Sequence, residues 1–218
     1  MFRASRETKK RALIASALFG LFNIWFLVCE KTIVRPEYIM YLPLDSRIPF
    51  VPQFIIPYYM WHAYVSLPMV WLFFKAPKDY VRGMTFYAIA LFCACAIYTI
   101  APNGQRLRPH ILGDGFFERW VAFTYSADSP NNVAPSLHVL DSIAIHAALV
   151  HCEKFRKHRS AVVISSILCV ACSISTVFVK QHSVIDVFMG AGLGVLIWAC
   201  VYGRAYRRVK PIIERRKI

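Results

Sequence analysis

The chain has 218 residues, 57% of them hydrophobic, and a formal net charge of +14. Soluble domains run at about 45–50% apolar residues, so this composition, with a mean hydropathy of +0.46, excludes an ordinary soluble domain. The basic residues cluster between apolar runs, which argues against a nucleic-acid binder and for membrane topology.

A helix that crosses a bilayer needs roughly 20 mostly apolar residues. Six runs qualify in chain order: Ala12–Cys29, Phe54–Phe74, Met84–Ile100, Ser136–Cys152, Ala161–Val179 and Val184–Tyr202. The first follows Arg3, Arg6, Lys9, Lys10 and Arg11, as a signal peptide would. The sequence Val28-Cys29-Glu30-Lys31 offers no small-x-small cleavage pattern, so the helix is read as retained. Pro57 and Pro68 mark kink sites in the second run. The seven cysteines lie within or at the ends of apolar runs, unlike a secreted disulfide framework. Cys169-x-x-Cys172 has redox spacing but sits mid-helix, and is read as packing. Phe116-Phe117-Glu118-Arg119-Trp120, in the long third-to-fourth connection, reads as an interfacial anchor, with guidance of lipid to the site as the functional alternative. The expectation is an all-α, six-helix membrane protein, one domain over residues 1–218.

Loop charge orients it. Of the 26 Lys and Arg residues, 19 fall in 1–11, 75–83, 153–160 and 203–218, which are alternate connections of a six-span chain. Cytoplasmic segments carry the basic excess. Both termini are therefore predicted cytoplasmic, with 30–53, 101–135 and 180–183 on the extracytoplasmic side, in the cell membrane.

Three polar groups then reach that same outer face: Arg108-Pro109; Pro135-Ser136-Leu137-His138; and Ser175 through Asp186. Ser136 suits a helix N-cap, and the free N–H groups of a helix start bind phosphate. Arg108 can grip phosphate oxygens in bidentate fashion, and Lys180 can add a point charge. His182 and Asp186 are four apart and share a helical face. A carboxylate on one ring nitrogen makes the other a better nucleophile or base. Taken singly, Ser136 reads as a cap, Arg108 as an anchor and each histidine as a satisfied core group; their gathering on one face favours function. Asp141, three residues after His138, can orient it or merely line the interior. His146 and His151 lie toward the other end and receive no role.

These residues resemble the motifs of the type 2 phosphatidic acid phosphatase superfamily. Pro135-Ser136-Leu137-His138 resembles its Pro-Ser-Gly-His motif, with Leu137 for Gly. Ser175 to Asp186 resembles the serine–histidine–aspartate motif, with Thr176 in place of Arg. Arg108-Pro109 resembles the end of the first motif, whose lysine position falls on Ala101. The resemblance covers residues 101–186 and implies a six-helix bundle needing no metal or cofactor. It implies that His182 attacks phosphorus, that Asp186 orients it, and that His138 protonates the leaving oxygen and then activates the acceptor. Arg108, Ser175 and Ser136 would hold the phosphoryl group. Lys180, or else Arg106, would replace the missing cations. The implied substrate is a lipid phosphate or diphosphate. The sphingomyelin and inositol phosphorylceramide synthase branch also departs from the phosphatase pattern, so phosphotransfer to an alcohol stays open beside hydrolysis. Outside this chemistry stand a proton-coupled transporter, a metal hydrolase using His138, Asp141, His182 and Asp186, and an inactive family member.

Overall fold

The computed structural model describes residues 4–109 and 113–203. The basic cluster beyond Gly203 and Arg3 lie outside the described residues. The principal helices are α1 (Arg6–Thr32), α2 (Pro43–Arg47), α3 (Ile55–Lys75), α4 (Pro77–Ile100), α5 (Phe116–Ala127), α6 (Leu137–His151), α7 (Glu153–Arg156), α8 (Arg159–Phe178) and α9 (Val184–Tyr202). The described residues hold a two-residue parallel ladder of β1 (Tyr38–Ile39) with β2 (Asn103–Gly104) and an isolated antiparallel bridge between Gly104 and Asn131, which tie the α1–α3, α4–α5 and α5–α6 connections together.

Local chemistry sets the helix ends. Ser5 caps α1, its hydroxyl accepting from the Thr8 N–H at 3.2 Å, so the helix starts ahead of its apolar run. Pro77 opens α4 at a position where no amide donor is needed. Ser183 and Asp186 form a capping box at α9.

Among the described residues, α1, α4, α8 and α9 are long and apolar enough to cross a membrane. The expectation of six spans is met at these four. Helix α6 is apolar but has 15 residues. Helix α3 has 21, yet Tyr58, Tyr59, Trp61 and His62 in its first half line a cavity and lower its hydropathy. Helix α6 is central and packs on α3, α4, α8 and α9. Its Ala144 and Ala148 are fully buried. A Cβ on Gly83 of α4 would stand 3.3 Å from that of Ala148, a close approach that only small residues permit. In lipid, such close packing is a main source of helix association.

The bundle has two unlike ends. At one, the N-terminus, the α3–α4 junction and α7 meet around a recess lined by Ser5, Lys78, Asp79 and Glu153. There the Lys154 ammonium donates to the Lys75 carbonyl at 2.6 Å. Three of the four basic segments therefore share one end. The motif residues lie at the other, where α6 and α9 begin and α8 ends.

Candidate active site

The start of α6 is fixed before any side chain is placed. Asn103 of β2 is buried; its Oδ1 accepts from the Val133 and Ala134 N–H groups, and its amide donates to the Ala134 carbonyl. The Tyr98 hydroxyl donates to the Pro135 carbonyl at 2.8 Å. The Ser136 N–H donates to the Asp186 carbonyl at 3.2 Å, joining α6 to α9. Ser136 is fully buried and its hydroxyl has no hydrogen-bond partner. His138 follows in the first turn. Its ring lies 4.6 Å from Tyr58 and 4.5 Å from Trp61, centroid to centroid, and Trp61 donates to its carbonyl. Aromatic walls thus hold the imidazole toward the interior.

The second histidine comes from the α8–α9 turn. The Gln181 and His182 N–H groups both donate to the Thr176 carbonyl, and Lys180 adopts a φ of 55° to make the turn. The Asp186 Oδ2 accepts from the Ser183 N–H at 2.8 Å and stands 3.4 Å from the His182 Nδ1. One carboxylate oxygen therefore caps α9 and faces the imidazole. At that distance the buried Nδ1 makes no hydrogen bond among the described residues, and the carboxylate is the group it faces. The His138 and His182 rings are 5.5 Å apart and steeply inclined.

Arg108 comes from the connection between β2 and α5 and reaches the residue beside His182. Its guanidinium donates to the Tyr125 carbonyl at 3.2 Å, the Asp128 carbonyl at 3.0 Å and the side chain of Gln181, the neighbour of His182. It stacks 4.5 Å over the Tyr125 ring, and its Nε is buried without a partner. Burial lowers its pKa, while Asp128 opposes the shift.

A cavity of about 370 Å³ runs between α1, α3, α4, α5 and α6 to His138 and Asp141. A smaller pocket of about 60 Å³ shares Asp128, Leu137 and His138 with it and reaches His182. The large cavity is mostly apolar and the small one mixed, with Glu30, Asp128, His138 and His182 in its lining.

Five of the expected residues, His138, His182, Asp186, Ser136 and Arg108, therefore gather at one place. Four do not. Lys180 turns away: its ammonium donates to the Asp45 carbonyl at 2.9 Å and the Ile48 carbonyl at 2.6 Å. Closeness to His182 in sequence misled, because the left-handed turn sends the side chain toward α2. Its pKa is lowered by burial, against the pull of Asp45. The Ser175 hydroxyl donates back to the Cys172 carbonyl at 2.7 Å, so its proton is committed to its own helix. Arg106 is exposed and, among the described residues, has no hydrogen bond or ion pair to the other expected site residues. Asp141 lines the cavity, but its carboxylate has no hydrogen bond to His138 among the described residues.

Other contributors carry no sequence signal of their own. Asp45 holds the start of α9, and Glu30 of α1 accepts from Asn132 at 2.8 Å and Ser129 at 3.0 Å beside the small pocket. Tyr58, Tyr59, Trp61 and His62 of α3 wall the larger cavity without belonging to any motif. Among the described residues, no group of three or more His, Cys, Asp or Glu side chains is placed to hold a metal ion.

A family model described as the PAP2 superfamily matches residues 83–210, more than half of the chain. Comparison with curated proteins finds no match. Members of the superfamily are generally phosphatases or related phosphotransferases. With its apolar helices, the chain is an integral membrane protein. The two inward-facing histidines, the aspartate behind one of them and this match agree: the chain belongs to the PAP2 superfamily.

Proposed function

We propose that the protein is a lipid phosphatase that works through a phosphohistidine. The observation that carries this reading is the His182–Asp186 pair, with Nδ1 at 3.4 Å from the carboxylate, facing His138 across a shared pocket. The His182 Nε2 lone pair attacks phosphorus as the ester P–O bond breaks. His138, protonated, gives its proton to the departing alkoxide. It then takes a proton from water, whose oxygen attacks phosphorus; the P–N bond breaks and inorganic phosphate leaves. The Asp186 carboxylate holds the proton on Nδ1 and balances the charge that develops on the ring.

The phosphoryl oxygens are held by the unpartnered Ser136 hydroxyl, the unpartnered Arg108 Nε and the amides that open α6. The mostly apolar cavity supports a lipid as the alcohol part of the substrate. In this reading α3 and α6 complete a six-span bundle, both termini are cytoplasmic and the site faces outward. The gathering of three basic segments at the opposite end supports that orientation.

The test is a panel of lipid monophosphates and diphosphates offered to purified protein, with water alone and with added alcohol acceptors. Hydrolysis with an acid-labile phospho-enzyme, lost in His182→Ala, is expected. His138→Ala should slow turnover by about 10²–10⁴-fold. Full activity in His182→Ala would remove the mechanism. Transfer to the alcohol at the expense of free phosphate would assign phosphotransfer instead.

A further inference from the structure

Asp45 lies in the outer loop between α1 and α3, outside every motif and outside the segment that the family model matches. It is 1% exposed. Burying a carboxylate is costly unless donors surround it. Here Oδ2 accepts from the Leu42 N–H at 2.7 Å and the Ser183 hydroxyl at 2.6 Å, while Oδ1 accepts from the Val184 N–H at 2.8 Å. Val184 is the first residue of α9, so the anion also sits on the positive end of that helix.

The contact is two-sided. Lys180 donates its ammonium back to the Asp45 and Ile48 carbonyls. His182 is therefore bracketed: Lys180 before it and Ser183–Val184 after it are both fastened to α2. Ser183, held by Asp45 through its hydroxyl, gives its N–H to the Asp186 Oδ2, the atom that faces His182. Two hydrogen bonds run from Asp45 through Ser183 to Asp186, whose Oδ2 then faces the imidazole at 3.4 Å. By contrast, no hydrogen bond joins Asp45 to Arg108, Ser136 or His138, the groups assigned to phosphate binding and proton transfer.

We propose that Asp45 is a positioning residue for the nucleophile, setting the aim of His182 through Ser183 and Asp186 without touching substrate. The proposal rests on His182 being that nucleophile. Asp45→Asn keeps the volume but turns an NH₂ toward a set of donors, so at least one contact to α9 is lost. Misplacing a reacting group by about 1 Å can cost 10²-fold in rate. The effect should fall on the attack step alone.

The experiment follows phospho-enzyme formation from radiolabelled dioleoyl phosphatidate in single turnovers, together with KM, in wild type, Asp45→Asn and Ser183→Ala. Each rate is taken per folded, monodisperse protein. Phosphorylation is expected to slow by about 10–100-fold in Asp45→Asn and by less in Ser183→Ala, with KM within threefold of wild type. Should Asp45→Asn fail to fold, Ser183→Ala, which severs the same link from the other side, decides. Phosphorylation within about threefold of wild type in the folded variants overturns the proposal, as does a loss carried by KM. If wild type forms no phospho-enzyme, or His182→Ala still forms one, the underlying reading fails and the proposal falls with it. Slowed variants against a competent wild type cannot arise from that second failure.

Discussion

Gly190 offers a direct test of how tightly the geometry is held. It lies one turn after Asp186, where α9 crosses the start of α6. A Cβ there would stand 2.9 Å from the Ser136 carbonyl oxygen and 3.1 Å from the Val139 Cβ. An ordinary contact begins near 3.4 Å, so Gly190→Ala is about 0.5 Å too close to a backbone atom that cannot rotate away. The helices must separate by that amount, at about 1–3 kcal/mol of overpacking. The separation falls between Ser136, two residues before His138, and α9, whose Asp186 faces His182. Since about 1 Å of misplacement costs up to 10²-fold, roughly tenfold is expected for half of it. The same helix supplies controls. At Gly192 a Cβ meets nothing within 4 Å, and at Gly194 it meets the flexible end of Ile143 at 2.9 Å. Turnover and thermal midpoint of the three alanine variants should rank Gly192 nearly neutral, Gly194 intermediate and Gly190 worst. A Gly190→Ala enzyme as active and as stable as Gly192→Ala would refute the close-approach argument.

Three further outcomes follow from particular contacts. Lys180→Met removes a donor from two carbonyls; a hydrogen bond to a charged group contributes about 1.5–3 kcal/mol, so thermal stability should fall while KM and inhibition by inorganic phosphate stay unchanged. A weakened phosphate affinity would restore the ligand role expected from sequence. Arg108→Lys cannot reproduce the three-way guanidinium contact or the stack on Tyr125; kcat/KM should fall by roughly 30-fold, about 2 kcal/mol, and a value within threefold would remove Arg108 from the phosphate site. For topology, a cysteine placed at exposed Lys157 should react with an impermeant thiol reagent only from the cytoplasmic side, and one at Arg106 only from outside; the reverse pattern would invert the orientation.

Most of the helical layout was legible because long apolar runs leave few alternatives in a bilayer. The run beginning at Val184 has the same limits in sequence and structure, since Ser183 and Asp186 write its start as a capping box. Helix α5 was missed as a helix: Phe117, Trp120, Val121 and Thr124 follow helical spacing, but the segment is short and was read for its aromatic anchors alone. The serine–histidine–aspartate spacing located the His182–Asp186 pair because helix geometry fixes residues four apart. It could not place Ser175 or Lys180, whose directions depend on a local helix carbonyl and a left-handed turn. Asp45 was invisible for a different reason. A single aspartate in a proline-flanked loop has no periodicity, and its partners at the start of α9 lie 138 and 139 residues away in sequence.

Helices α1 and α3, which precede the segment matched by the family model, contribute Phe19, Asn23, Tyr58, Trp61 and His62 to the larger cavity. The reacting histidines come from α6 and the α8–α9 turn. Under the proposed mechanism, chain length and headgroup preference would be drawn from one stretch of sequence and bond-breaking from another. Exchanging the leading helices between relatives is then a route to new substrates that leaves the chemistry in place. If Asp45 positions His182 as proposed, one condition attaches to any such graft: the loop between the exchanged helices must bring an acid at the position of Asp45, or the borrowed walls would enclose a nucleophile that no longer points at them.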